Sequence, residues 1–392
     1  MIDGVLFDSS ATTLVSFPRA RDGQYIIPEG VTNIQDWAFN TAIYLDGIQL
    51  PSSLMPLGEG AFYTCIELLS VEIPAGVTTI PDSCFERCRS LETFSLPASV
   101  TNFEPGALRF TNALRSIEVD SSNPRYSSRN GVLFDDDHSI LVCYPQLKNG
   151  DSYAVPSTTL RIEDYAFEDN AHLERIVLPE GLASIGFVAF SDCAQLRSIS
   201  LPSSVTTIET AAFSGCDQLT SIYFQGNAPA EIERNAFAYM NGLTAYYFEG
   251  AEGFTTPAWT YYDSSSTIAA EELPLTSRTP LLEWMLPRGY RHDAEPSQIG
   301  RSGYSILGEY ALDIGYAGSA APPEHSVDSQ NFELRFHAGR SNINYTVKRS
   351  ENLIKWDTEG VALSPLDVNG YRTASIPVES RGFMRIAFEV QP

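Results

Sequence analysis

The chain has 392 residues, 43% of them hydrophobic, and a formal net charge of -24. That acidic excess disfavours nucleic acid and anionic membranes, which need Lys and Arg to neutralise phosphate. The apolar runs also fall far short of the ~18 residues of a membrane span. The charge is uneven: residues 1–266 hold 33 Asp and Glu against 13 Lys and Arg, while residues 267–392 hold 16 against 12. The opening, MIDGVLFDSS, lacks the basic region and apolar core of a signal peptide, which leaves a cytosolic protein, a mature form or an excised piece.

The first element is DGVLFDSSATTLVSFPRARDGQYIIP (Asp3 to Pro28), which returns as NGVLFDDDHSILVCYPQLKNGDSYAVP (Asn130 to Pro156). Gly4/Gly131 and Pro18/Pro145 are both offset by 127, so the chain opens in mid-unit, as though something upstream had been removed. Around these copies runs a shorter repeat. One aromatic slot holds Phe39, Phe62, Phe85, Leu108, Phe167, Phe190, Phe213 and Phe237, at intervals of 23, 23, 23, 59, 23, 23 and 24 residues. The 59 is one period plus a 36-residue insertion. Prolines keep step at 28, 51, 74, 97, 156, 179 and 202. A fixed period of 20–50 residues is the mark of a solenoid, whose coils bury their apolar sides against one another.

Within a coil, LTSIYF (Leu219 to Phe224) predicts a strand with Leu219, Ile222 and Phe224 inward and Tyr223 outward. A turn at the proline follows, then a short extended run (Val205, Ile208), then a short helical side with Ala212, Phe213 and Cys216 apolar at i, i+1 and i+4. The expected class is an α/β solenoid with a strand and a short helix per 23-residue coil, and each buried Phe should contribute roughly 1.5–3 kcal/mol. Cys65, Cys88, Cys193 and Cys216 each stand three residues after the slot, which predicts a buried column of small apolar thiols. Adjacent coils would also bring Cys65/Cys88 and Cys193/Cys216 within disulfide reach, ~5 Å at Cα. Cys84 and Cys88 sit one helical turn apart with no third ligand nearby, so no metal or other cofactor is expected.

The consensus LPxSVTxIxxxAFxxCxxLxxI resembles the BspA-like leucine-rich repeat, also called the Treponema pallidum-type repeat, over about residues 24–250. The 3–28 and 120–156 segments look like the hairpin insertions found among such repeats. Asp135, Asp136 and Asp137 would form one hairpin tip, Asp8, Ser9 and Ser10 the other. Leu108 and Thr111 depart from the pattern beside the insertion, and Thr159 stands at a Val slot. AYYFEGAEGFTTPAW (Ala245 to Trp259) reads as a C-terminal cap that closes residues 1–263.

Residues 264–330 are expected to be a linker with short helices at Leu281–Leu286 and Tyr304–Leu312. Its PRGYRHDAEPSQIGRSG stretch resembles a worn calcium segment, with only Asp293 and Glu295 left as acids. From 331 to 392, FELRFHA, NYTVKRS, YRTASIPV and GFMRIAFEV alternate like the strands of a small β-sandwich, with Trp356 in its core. INYTVKRSENLIKWD and FMRIAF resemble the β-rich tails of secreted bacterial proteins.

No hydrolase, kinase or dehydrogenase motif is present. His138, His172, His292, His325 and His337 are scattered and read as lone surface residues. The outward slot of the principal strand carries Gln49, Glu72, Ser95, Glu118, Val177, Ser200, Tyr223 and Tyr247. Acids and serines at one end and tyrosines at the other suggest a binding face at Glu72, Ser95, Glu118, Ser200, Tyr223 and Tyr247, because Tyr offers contact area at low entropic cost. The plain alternative is a row of ordinary exposed strand residues. Members of the resembled family are often surface proteins that bind host or matrix proteins. The resulting expectation is a non-enzymatic, secreted or surface-exposed protein that binds a protein or glycan without entering a membrane. Two alternatives stand beside it. Glu72 and Glu118, about 9–10 Å apart at sheet spacing, approach the acid separation of inverting glycosidases. A self-associating structural protein is the other, and the sequence leaves the oligomeric state open.

Overall fold

The computed structural model describes residues 3–240, 242–263 and 265–274, together with the backbone of six strands between Glu324 and Val390. Two compact units result, Met1–Leu273 and Pro274–Pro392.

The first unit is a β-solenoid. Its principal strands pair in parallel from coil to coil. Gly23–Ile26 lies beside Leu45–Gln49, Thr93–Leu96 beside Ser116–Val119, and Ser152–Ala154 beside Arg175–Val177. Ser198–Leu201, Ser221–Phe224, Thr244–Phe248 and Thr267–Leu273 then follow in one sheet. A second ladder of two-residue strands stacks Ile162, Ile185, Ile208 and Ile232 in register. The sequence places Thr267–Leu273 at the start of a linker. It is instead a strand, held by Thr244–Phe248 on one side and Ala258–Thr260 on the other.

The slot residues form the core. Phe17, Phe39, Phe62 and Phe85 stack at centroid distances of 4.7, 4.9 and 5.3 Å. Tyr144, Phe167, Phe190, Phe213 and Phe237 stack at 4.8, 4.8, 5.1 and 5.7 Å. Offset-stacked rings at this spacing add to the burial of their area. The hairpin segments are therefore not excursions from the solenoid. Tyr144 fills the slot of a longer coil that carries a hairpin, as Phe17 does 127 residues earlier.

The expected helix per coil is absent; among the described residues one four-residue 3-10 turn occurs, at Pro105–Leu108. An α-helix sends each N–H to a carbonyl four residues back. Here alternate N–H groups leave the coil: Phe39 donates to Ala61 O, Phe62 to Cys84 O, Phe167 to Ala189 O and Phe190 to Ala212 O, at 2.7–2.9 Å. The intervening amides close tight turns, Asn40 to Trp37 O and Ala42 to Phe39 O. This alternation requires left-handed backbone two residues before and after the slot. Trp37 and Thr41 flank Phe39 at φ 59° and 61°, and Val188 and Asp192 flank Phe190 at 58° and 59°. Left-handed backbone costs an L-residue roughly 1–2 kcal/mol, offset here by the inter-coil hydrogen bonds and the ring stack they align. Gly60 takes the same position, and a Cβ there would meet the Trp37 ring at 2.4 Å.

The cysteine column is as expected. All six thiols are free, and Cys65, Cys88, Cys193 and Cys216 donate S–H to the carbonyls of Phe39, Phe62, Phe167 and Phe190 one coil back, at 3.0–3.3 Å. Each therefore satisfies a carbonyl as well as filling space. Burial pushes the Cys65 thiol up to about 12.

The hairpin coil forms a seam between two hydrophobic clusters. Leu133 and Val142 pack with the N-terminal coils, whereas Val132, Phe134, Leu141 and Tyr144 pack with the C-terminal ones. Arg109 and Glu168 span the seam through two 2.6 Å bonds, with the guanidinium 4.2 Å over the Tyr165 ring. Asn112 reaches Asp169 at 2.8 Å, and Gln146 donates to Glu168 O at 2.9 Å.

In the second unit, Glu324–Val327, Asn331–His337, Tyr371–Pro377 and Ala362–Leu363 form one antiparallel sheet, and Ile343–Ser350 pairs with Phe383–Val390. The expected helices at 281–286 and 304–312, the Asp293/Glu295 segment and Trp356 lie outside the described residues.

Candidate binding surface

Parallel pairing in register carries the outward slot from coil to coil, because a period of two keeps each side chain on its own face. Ile26 pairs with Gln49, and Ser95 with Glu118. Ile26, Gln49, Glu72, Ser95 and Glu118 are all exposed, Ile26 at 66%. Ser95 stands between Glu72 and Glu118 in the row. The Glu118 carboxylate accepts the Ser116 hydroxyl. A glycosidase acid is a carboxyl withdrawn from water, whereas both Glu72 and Glu118 lie open to it.

The other end of the row differs from expectation. Val177 is half-buried, and Ser200 and Tyr223 are buried, Tyr223 to 1% exposure. Lateral contacts contribute: the Gln225 amide donates to Ser200 Oγ at 2.9 Å, and the Tyr223 ring stacks on Tyr246 at 5.1 Å. Tyr247 is not in the row at all. Tyr223 pairs with Tyr246, while Tyr247 pairs with Phe224 and packs inward, flat on Phe254 at 4.4 Å. The cause is countable. Tyr223 stands ten residues after its slot Phe213, whereas Tyr246 stands nine after Phe237, and a one-residue slip moves a side chain to the opposite face. Ser200, Tyr223 and Tyr247 are thus buried, none more than 5% exposed.

A second surface feature escaped the sequence reading. Trp37 meets Tyr63 edge-on at 5.3 Å, the Arg87 guanidinium lies 6.0 Å from the Tyr63 ring and 5.2 Å from Phe110, and Arg109 lies 4.9 Å from Phe110. Tyr165 and Phe187 continue the ribbon at 5.3 Å. The members are spread over four offsets from the slot, two before it and two after, so no single column betrays them. Their guanidinium–ring contacts are of the cation–π type.

Asp135, Asp136 and Asp137 bring ligand atoms within 4.8 Å of one another. Two already serve the turn: Asp135 accepts from Ser139 Oγ at 2.6 Å and Ile140 N–H at 2.8 Å, and Asp137 from Ser139 N–H at 2.9 Å. Hydrogen bonding from Ser139 holds Asp137 below the usual carboxylate range. Asp8 makes the equivalent bonds to Ser10, Thr12 and Thr13 in the first hairpin. The expected hairpin tips are therefore present.

A stack of parallel coils with an exposed polar strand row defines a repeat protein of the leucine-rich solenoid class. The family described as BspA type leucine rich repeat region matches residues 21–129 and 143–264, in six copies. The chain belongs to that family. Among solved structures it is similar to a leucine-rich repeat protein from Eubacterium ventriosum, with 22% identity over 67% of this chain and 78% of that one and a TM-score of 0.53. It also aligns with the pneumococcal vaccine antigen PcpA (24% identity, 61% and 74% covered, TM-score 0.49). A leucine-rich cell surface protein from Faecalibacterium prausnitzii aligns at 20% identity, with 64% and 95% covered and a TM-score of 0.39. Comparison with curated proteins gives no match. No helix among the described residues is long and apolar enough to cross a membrane.

Proposed function

We propose that the chain is a non-enzymatic binding protein displayed outside a bacterial cell. In this reading a protein or glycan ligand docks on the N-terminal half of the strand face, at Glu72, Ser95 and Glu118. The observation that carries it is the exposed row Ile26, Gln49, Glu72, Ser95, Glu118 on a stack whose own packing uses the opposite face. Solenoids present such extended surfaces on a rigid support. Location outside the cell follows the habit of the BspA-like family, and the two antiparallel sheets of 324–390 would form the small sandwich of a tail module. The acids favour a cationic or hydroxyl-rich ligand, which predicts binding weakened by salt.

The test is a screen of the full chain against arrays of extracellular matrix proteins and glycans at low and high salt. Hits should weaken at least about tenfold, or ~1.4 kcal/mol, in Glu72→Lys/Glu118→Lys. A hit that ignores this pair would move the docking face elsewhere. Release of sugar from a glycan, lost in Glu72→Gln, would instead establish catalysis.

A further inference from the structure

Among the described residues, the seven-stranded ladder ends at the strand Glu231–Ile232. Every earlier rung hands carbonyls to the next. Ala183 O and Ile185 O accept from Thr206 and Glu209, and Thr206 O and Ile208 O accept from Glu231 and Glu233. Ala230 O and Ile232 O hold the same place in the last rung, and no described residue donates to them. The Glu231 and Glu233 amides point back to the preceding coil, so the alternating Ile232 N–H points forward. An acceptor, a donor and an acceptor are thus left at strand spacing, which is the template of an open β edge. The edge opens into a groove of about 600 Å³ whose lining includes Ala230, Glu231, Ile232, Glu233, Trp259 and Tyr261.

We propose that this edge accepts an extended segment of a partner protein as an added parallel strand, with an apolar residue between two basic ones. The backbone groups dictate an extended peptide, as in other cases of strand addition. The apolar residue would continue the column Ile162, Ile185, Ile208, Ile232. Glu231 and Glu233 are both exposed and alternate with Ile232, so in a parallel pair they lie beside the two flanking residues. The same ladder already shows a cation in this setting: Arg161 bonds Glu163 at 2.9 Å, Asp164 at 3.1 Å and Glu209 at 2.8 Å. A second copy of the chain fits less well. Its edge strand at the other end, Leu6–Phe7, is bracketed by Asp3 and Asp8, which would set acid against acid.

The experiment uses the full chain and a fluorescein-labelled peptide, Ser-Gly-Lys-Ile-Lys-Gly-Ser, read by anisotropy. Saturable binding is expected, at least about tenfold weaker when Glu replaces both Lys. N-methylation of the two Lys amides, which meet Ala230 O and Ile232 O, should abolish binding, while N-methylation of the Ile amide should change it less than about twofold. Exchanging charge in E231K/E233K should reverse the preference between the two peptides. No saturation by about 1 mM, equal binding of both peptides, or indifference to which amide is methylated would each overturn the proposal. So would dimerisation of the chain alone that E231K/E233K abolishes, since the occupant would then be a second copy.

Discussion

The two ends of one strand row differ more than their shared period suggests. In the coils of Glu72, Ser95 and Glu118 the outward slot is open to water; in those of Ser200, Tyr223 and Tyr246 it is buried. At the open end the strands pair in short groups, such as Thr93–Leu96 with Ser116–Val119. At the closed end Ser198–Leu201, Ser221–Phe224, Thr244–Phe248 and Thr267–Leu273 make one continuous sheet, with a tyrosine pair stacked on its outer side. Register thus decides which way a side chain points. Its neighbours decide whether it meets solvent. The open half leaves its side chains to solvent, as the proposed docking face requires, while the closed half buries them.

Substitutions at the seam or in either ring stack should have the largest effects. Phe62→Ala and Phe213→Ala should each cost about 3–5 kcal/mol in urea denaturation, since a stacked ring leaves a cavity. Arg109→Ala strands the buried Glu168 carboxylate. It should cost about 3 kcal/mol and split a single unfolding transition into two, one per cluster. Arg109→Met with Glu168→Met should recover most of that loss and restore one transition, which separates an uncompensated charge from lost packing.

A smaller pair of effects tests the row directly. Tyr223→Ala should destabilise by about 2–4 kcal/mol, whereas Glu118→Ala should fall within about 0.5 kcal/mol of the parent, the range of an exposed site. Equal effects would erase the distinction between the halves. Smaller still is the thiol column. With Cys65 pushed to about 12 by burial, the column should resist a thiol reagent at neutral pH and react once the chain is denatured. Cys193→Val, which removes the S–H donor to Phe167 O, should cost about 1 kcal/mol in thermal unfolding. The slightest effect is at the hairpin tips. Asp8 and Asp137 are held below the ordinary 3.8 by turn hydrogen bonds. Their contribution is therefore present above that pH and lost as pH falls through the folded values. Amide exchange at Thr12 and Ser139 should rise, relative to its intrinsic rate, on acidification through that window.

Much of this was legible in advance. The 23-residue period placed the slot column, the proline column and the inward Ile and Leu residues, because each must meet its own copy one coil away. The helical side was not legible. Ala212, Phe213 and Cys216 at i, i+1 and i+4 suit a helix, yet they equally suit a chain of turns whose alternate amides bond outward. Apolar spacing does not record that left-handed alternation. The place of Tyr246 was missed because the 24-residue interval from Phe213 to Phe237 is compensated by a shorter run to the next strand. Serine at 200 looked like solvent-facing polarity, and nothing in a single position reports the Gln225 amide that meets it.

The proposed docking face is the open half of the row. It is tested most directly by the affinity of one hit from the matrix and glycan screen for the Glu72→Lys/Glu118→Lys chain, with circular dichroism confirming the fold. A loss of at least about tenfold with unchanged melting is the predicted result. Unchanged affinity in a folded double variant would contradict it.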